Sequence, residues 1–288
     1  MRDLNFQVKE ILLRNRDGSE STRANRWRLC MSICNDLRQL GFKNLDLHNL
    51  KQKHVKALIN GWQERSLKPG TQKNYMAALR WVCEKIGKSN LVARSNDALG
   101  IPDRSNLPDA SKGKDVIPAQ LAHISDPYVV MALRLQAMFG LRREESMKFT
   151  PSWADKGDKI TLKRSWCKGG REREIPVRTD DQRAVLAEAR ALAGKGSLIP
   201  AELRYVDQLQ IYKSQCRKVG IGFAHGHRHF YAQERYRELT GWDCPVRGGP
   251  TAKQLTAAQK AIDRTARMTV SAELGHGREQ ITVNYLGR

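Results

Sequence analysis

The chain has 288 residues, with 51 Lys and Arg against 30 Asp and Glu, for a formal charge of +21. That length supports about two domains with real cores. Six dispersed cysteines without a CxxC or Cys/His metal spacing exclude a disulfide scaffold and point to a reducing compartment. The N-terminal MRDLNFQVKE lacks the apolar run of a signal peptide, and no stretch is apolar enough to span a bilayer.

The charge is spread along the chain, +10 over residues 1–100 and +11 over the rest, with no basic low-complexity arm. Two basic folded domains facing one polyanion explain this better than a single amphipathic membrane helix, and the polyanion expected is nucleic acid.

In chain order, residues 22–40 carry Trp27, Cys30, Ile33, Cys34 and Leu37 at helical spacing, and Gly41 ends the run. Asn49 reads as the cap of a helix bearing Val55, Leu58, Ile59 and Trp62. Pro69-Gly70-Thr71 opens another, with Tyr75, Ala78, Leu79, Val82 and Ile86 inward and Gly87 past its end. Residues 96–116 are rich in Pro, Gly, Ser, Asp and Lys without a hydrophobic period, which reads as a linker. Asp126-Pro127 starts a helical stretch interrupted near Gly140. KITLKRSW and REREIPV, separated by CKGG, read as a β-hairpin. Helices follow from Asp180, Tyr205 and His227, and short helices close the chain. The expected class is mainly α with a small antiparallel sheet in the second domain.

Four of the seven histidines lie at 225, 227, 229 and 276, in company with Arg142, Lys168, Arg228 and Tyr285. Metal-free chemistry at a phosphodiester uses such a set. Guanidinium forks stabilise the charge that develops on the non-bridging oxygens. A phenol attacks in line, and a lysine at a hairpin tip protonates the departing alkoxide. The aryl phosphodiester keeps the ester linkage, so a free 5′-hydroxyl reverses the attack without ATP. The alternating His225, His227 and His229 would line one face of a strand as zinc ligands do. The surrounding text instead reads as a loop entering a helix, with no Cys or carboxylate at ligand spacing.

The local sequences strongly resemble those of the tyrosine recombinase (phage integrase) family. Phe139-Gly140-Leu141-Arg142-Arg143-Glu144-Glu145 resembles its Gly-Leu-Arg-x-x-Glu box, implying Arg142 as the first catalytic arginine and Glu145 as its acidic support. Cys167-Lys168-Gly169-Gly170 resembles the hairpin that presents the catalytic lysine, implying Lys168. His225-Gly226-His227-Arg228 resembles the His-x-x-Arg box, implying His225 and Arg228, with His229 in support and His227 structural or DNA-facing. Leu274-Gly275-His276 resembles the Leu-Gly-His box, implying His276, and Tyr285 lies nine residues later, where the family keeps its nucleophile.

The resemblance implies a helical, SAM-like core-binding domain over residues 1–99, a linker over 100–116 and a mixed α/β catalytic domain of the DNA breaking-rejoining fold over 117–288. It is looser over the first domain, where Thr71 to Leu79-Arg80 resembles the family's Ser/Thr-led helix. There Arg23, Arg26, Thr71, Lys73 and Arg80 are read as phosphate contacts. The implied activity is that of an element-encoded integrase acting through a covalent 3′-phosphotyrosine, with no metal or other cofactor. The implied partners are double-stranded DNA and further copies in a tetramer on paired sites, with no membrane, in a bacterial-type, nucleoid-associated cytoplasmic location.

The chain departs from the family pattern twice. The 48 positions from Arg228 to His276 are roughly double the usual separation, which implies an insertion or an added DNA or subunit contact. Only Leu286, Gly287 and Arg288 follow Tyr285, where many relatives continue into a helix that docks on a neighbouring protomer. That shortness implies a different assembly or a truncated chain. The alternatives are a non-catalytic DNA-binding protein on this fold and a metal-dependent nuclease or transposase using Glu144/Glu145 and Asp180/Asp181.

Overall fold

A computed structural model describes residues 3–103, 105, 107–222 and 225–288. The chain divides into two compact units, Met1–Ser105 and Asn106–Arg288. No helix among the described residues is long and apolar enough to cross a membrane.

The first unit is helical: α1 (Leu4–Arg14), α2 (Glu20–Gln39), α3 (Gln52–Glu64) and α4 (Pro69–Lys85). Helix α1 is not evident from the sequence pattern because its apolar stripe is short; Leu4, Val8 and Leu12, at i, i+4 and i+8, are its buried face. Ser19 caps α2 by accepting from Thr22 N at 3.2 Å. The start of α3 differs from expectation. Asn49 ends a 3₁₀ turn, and the cap is Lys51, whose N–H donates to His54 Nδ1 at 3.0 Å. Pro69 opens α4, where its missing N–H costs nothing. Leu37, Leu58, Trp62, Met76 and Leu79 meet in the core. The buried Asp36 there accepts from Trp62 Nε1 at 2.7 Å and pairs with Arg65 at 2.9 Å, so the charge is compensated.

The second unit begins with α5 (Pro118–Ala122) and α6 (Pro127–Phe139), the latter capped by Asp126. Gly140 breaks the helix, then α7 (Arg143–Met147) and α8 (Pro151–Ala154) follow. The hairpin pairs β1 (Lys159–Leu162) antiparallel to β2 (Arg173–Pro176), with Ile160 opposite Ile175 and Leu162 opposite Arg173. Strand geometry stops at Leu162. Residues Arg164–Trp166 form a 3₁₀ turn, and Trp166 packs into the core.

Next come α9 (Asp180–Ala193), α10 (Tyr205–Lys218), α11 (His225–Thr240), α12 (Ala257–Glu273) and α13 (Val283–Leu286). The closing region is not made only of short helices: α12 runs 17 residues from a Thr256/Gln259 capping box. Much of the long spacing between Arg228 and His276 is thus ordinary helix, joined by a loop whose 3₁₀ turn Pro245–Arg247 packs on α13. The main core lies between α6, the hairpin, α9, α11 and α12. A smaller cluster around Leu133, Tyr212 and Cys216 fixes α10 beneath α6.

Candidate active site

Two glycines explain why the chain turns where it does. Gly140 has φ +60°, and a β-carbon there would meet Tyr231 Cδ1 at 2.5 Å. Gly275 has φ +68°, and a β-carbon would meet Arg173 Cδ at 2.9 Å. Both positions need a left-handed backbone and a close approach, which only glycine supplies without strain. Each turn delivers a carbonyl to the same guanidinium: Arg228 Nη1 donates to Gly140 O and Nη2 to Leu274 O.

Arg142 is the N-cap of α7, and the i, i+3 spacing brings Glu145 back onto it. Glu145 accepts from Arg142 N at 2.6 Å and Arg142 Nη1 at 2.7 Å. Arg142 Nη2 also donates to Leu274 O at 3.3 Å, so one carbonyl joins the two site arginines. Glu145 is 0% exposed, and Arg173 closes on it with two bonds, at 2.9 and 2.7 Å. Burial alone would raise this carboxyl. The Arg173 hydrogen bonds, with the charges of Arg173, Arg142 and Arg228, prevail and hold it down at about 2.

Arg228 is also 0% exposed; burial pulls its guanidinium down to about 10, which leaves it charged at neutral pH. Its Nε donates to Tyr285 Oη at 3.3 Å, and its Nη2 lies 3.3 Å from His276 Nε2. His276 Nε2 is in turn 3.2 Å from Tyr285 Oη. Burial first, then the charges of Arg228, Arg142 and Arg173, push His276 down to about 4, so its ring is neutral at pH 7. A guanidinium only donates, so Nε2 must be the acceptor and the ring proton sits on Nδ1. The Tyr285 hydroxyl then donates to Nε2 while accepting from Arg228.

His225 and His229 complete the wall around the phenol. Their rings lie 5.4 Å apart, and their centroids are 6.1 and 4.6 Å from that of Tyr285. Both are pushed down to about 4, chiefly by burial. His227 points elsewhere, its Nδ1 2.8 Å from Lys114 O. The three histidines sit on a helix, so they do not share a face as strand residues would. Among the described residues no group of three or more His, Cys, Asp or Glu is placed to hold a metal ion.

The structure therefore brings together Arg142, Glu145, His225, Arg228, His229, His276 and Tyr285. Lys168 is not among them. It is exposed in the turn Cys167–Gly170, and among the described residues no hydrogen bond or ion pair joins it to the others. Of the residues read as phosphate contacts, Arg26 pairs with Asp17 at 3.2 Å and lies 4.1 Å above the Trp81 ring. Lys73 pairs with Asp103 at 2.6 Å. Arg80 donates to Ala93 O and Asn96 Oδ1, both at 2.9 Å, pinning the segment after α4. Arg23 is half-buried and donates to Arg16 O, while Thr71 is exposed.

The residue that sequence reasoning missed is Arg173. The signal was present, because strand alternation turns Arg173 inward with Ile175, and an inward charge needs a buried partner. Three guanidiniums thus gather about one carboxylate beside neutral imidazoles and the buried Tyr285 phenol, so the positive charges outnumber the carboxylate by two.

Two family models match the chain: "Phage integrase, N-terminal" over residues 1–92 and "Integrase" over residues 110–234. The second ends before His276 and Tyr285. No curated protein matches. Among solved structures, a λ integrase dimer bound to a COC′ core site is 15% identical at TM-score 0.60, covering 98% of this chain and 75% of that one. XerH site-specific recombinase bound to palindromic difH substrate is 15% identical at TM-score 0.60, covering 98% and 80%. The Tn1549 transposon integrase in complex with circular intermediate DNA is 14% identical at TM-score 0.54, covering 100% and 96%. At such identities these likenesses speak for the fold. With motifs, family models and fold in agreement, the chain belongs to the tyrosine recombinase family of phage integrases.

Proposed function

We propose that the protein is a site-specific DNA recombinase that cuts and rejoins strands through a 3′-phosphotyrosine on Tyr285, with neither metal nor ATP. The observation that carries this is the Tyr285 hydroxyl held between Arg228 Nε at 3.3 Å and the unprotonated His276 Nε2 at 3.2 Å. Tyr285 Oη attacks the scissile phosphorus and its proton passes to His276. The bond to the 5′-oxygen breaks, and Lys168, brought in by the hairpin, protonates that oxygen. A pentacoordinate phosphorane carries two negative charges, which the two positive charges in excess around Arg142 and Arg228 match. His225 donates to a non-bridging oxygen, while Glu145 and His229 hold the arginines and the phenol. Attack by a 5′-hydroxyl from the partner strand runs the step backwards and seals the junction.

The partners are double-stranded DNA and further copies of the chain on paired sites. A similar fold is described as a λ integrase tetramer bound to a Holliday junction, and that assembly is proposed here on the strength of the fold. The site of action is the DNA of a bacterial-type nucleoid. The test uses nicked duplexes from the DNA flanking the gene, in EDTA. The wild type forms a covalent protein–DNA adduct and Tyr285→Phe forms none. Binding without an adduct under conditions that permit pairing of sites would favour a non-catalytic DNA-binding role, and a requirement for divalent metal would refute the mechanism.

A further inference from the structure

The stretch from Ser111 to Lys114, read from sequence as linker, is a strap seated on α11. Lys114 N donates to Gly226 O at 3.0 Å, and Lys114 O lies 2.8 Å from His227 Nδ1. One side chain continues inward from this strap. Gly113 N donates to Ser111 Oγ at 3.1 Å, and Ser111 Oγ donates to Gln233 Oε1 at 3.0 Å. Gln233, 1% exposed, then donates from Nε2 to the backbone carbonyl of Tyr285 at 3.0 Å. The amide orientation follows from chemistry, because the Tyr285 carbonyl only accepts. The strap is tight: a β-carbon on Gly113 would lie 2.5 Å from Gln233 Oε1.

We propose that Gln233 is a positioning residue for Tyr285, and that its bond to Ser111 makes the seating of the strap set how the phenol is presented. This rests on Tyr285 as the nucleophile. The helix carrying Tyr285 is one turn long and cannot fix its own position by internal hydrogen bonds. External bonds do so, from Gln233 at Tyr285 O and from Arg267 Nη1 at Gly287 O, 3.0 Å each. Among the described residues, Gln233 links this segment to the strap through hydrogen bonds at both of its amide atoms. A displacement of about 1 Å at a reacting atom costs on the order of 100-fold in rate.

The experiment compares wild type, Gln233→Met, Ser111→Ala and the double variant in the full chain. Met keeps the volume but cannot donate. Amide exchange over residues 283–287 should speed up about tenfold in Gln233→Met, while exchange over the hairpin stays unchanged. Adduct formation on saturating nicked duplex should fall about 10- to 100-fold with DNA affinity retained. Ser111→Ala should show a smaller change of the same kind, and the double variant should match Gln233→Met because the two bonds act in series. Unchanged exchange at 283–287 in Gln233→Met overturns the proposal, as does full additivity in the double variant. Ser111 is exposed, so its variant tests the link even if Gln233→Met loses the fold. The exchange measurement needs no cleavage. An adduct mapped away from Tyr285 would therefore refute the catalytic assignment, while exchange would still judge the Gln233 link.

Discussion

Replacing Glu145 by Gln removes the one carboxylate among three guanidiniums while keeping its shape. Of the four acceptor contacts of 2.6–2.9 Å to Arg142 and Arg173, two on each oxygen, it removes the pair on one oxygen and sets an amide N–H against those donors. Breaking a buried pair by removing one partner costs about 3–5 kcal/mol. Proton linkage gives a consistent figure. Holding the carboxyl at about 2 against an ordinary 4.5 corresponds to roughly 3 kcal/mol, at about 1.4 kcal/mol per unit. The folded carboxyl is the stronger acid, so this stabilisation is complete above pH 4.5 and drains away as pH falls towards 2. Thermal unfolding at pH 7 should therefore shift down by roughly 6–20 °C, at about 2–4 °C per kcal/mol for a unit of this size. The wild-type advantage should shrink steadily below pH 4.5. Equal stability of the two proteins at pH 7, or a gap between them independent of pH from 5 to 2.5, would refute the three-arginine arrangement.

Three further outcomes follow from the site. Arg228→Lys cannot serve Gly140 O, Leu274 O and Tyr285 Oη together, so adduct formation should fall about 100- to 1000-fold on saturating DNA; a loss under threefold would refute its place in the site. Lys168→Ala should be slow on ordinary DNA but near wild type on a duplex with sulfur as the 5′ leaving atom, since a thiolate (reference pKa about 8.5) leaves without a proton. Equal defects on both substrates would remove Lys168 from the acid role. In the free protein the His276 ring should titrate near 4 by NMR, because burial and the site arginines disfavour its charged form, and a midpoint at 6–7 would contradict the neutral acceptor.

The sequence made the chemistry more legible than the geometry that supports it. Arg142, Glu145, Arg228, His276 and Tyr285 lie in short local motifs whose spacing follows from helix turns and glycine breaks, and they do converge in space. Arg173 and Gln233 carry no motif. Their roles arise from contacts across 28 and 52 positions, which no local pattern encodes. The start of α3 was misplaced because Lys51 and His54 form a cap without the usual Ser, Thr, Asp or Asn signal. Likewise α12 was read as short pieces, although its capping box at Thr256 and Gln259 is visible in the text. Lys168 has a clear motif but stands exposed in the turn Cys167–Gly170, apart from the converging residues, because the local pattern fixes the turn and not its reach.

The most direct measurement is the chemical identity of the DNA-linked residue. Adduct trapped on a nicked duplex in EDTA would be digested with protease and nuclease, and the nucleotide-bearing peptide sequenced by mass spectrometry. One 3′-phosphonucleotide is expected, carried on the Tyr285 oxygen. A nucleotide on any other residue, or an adduct that persists in Tyr285→Phe, would contradict it.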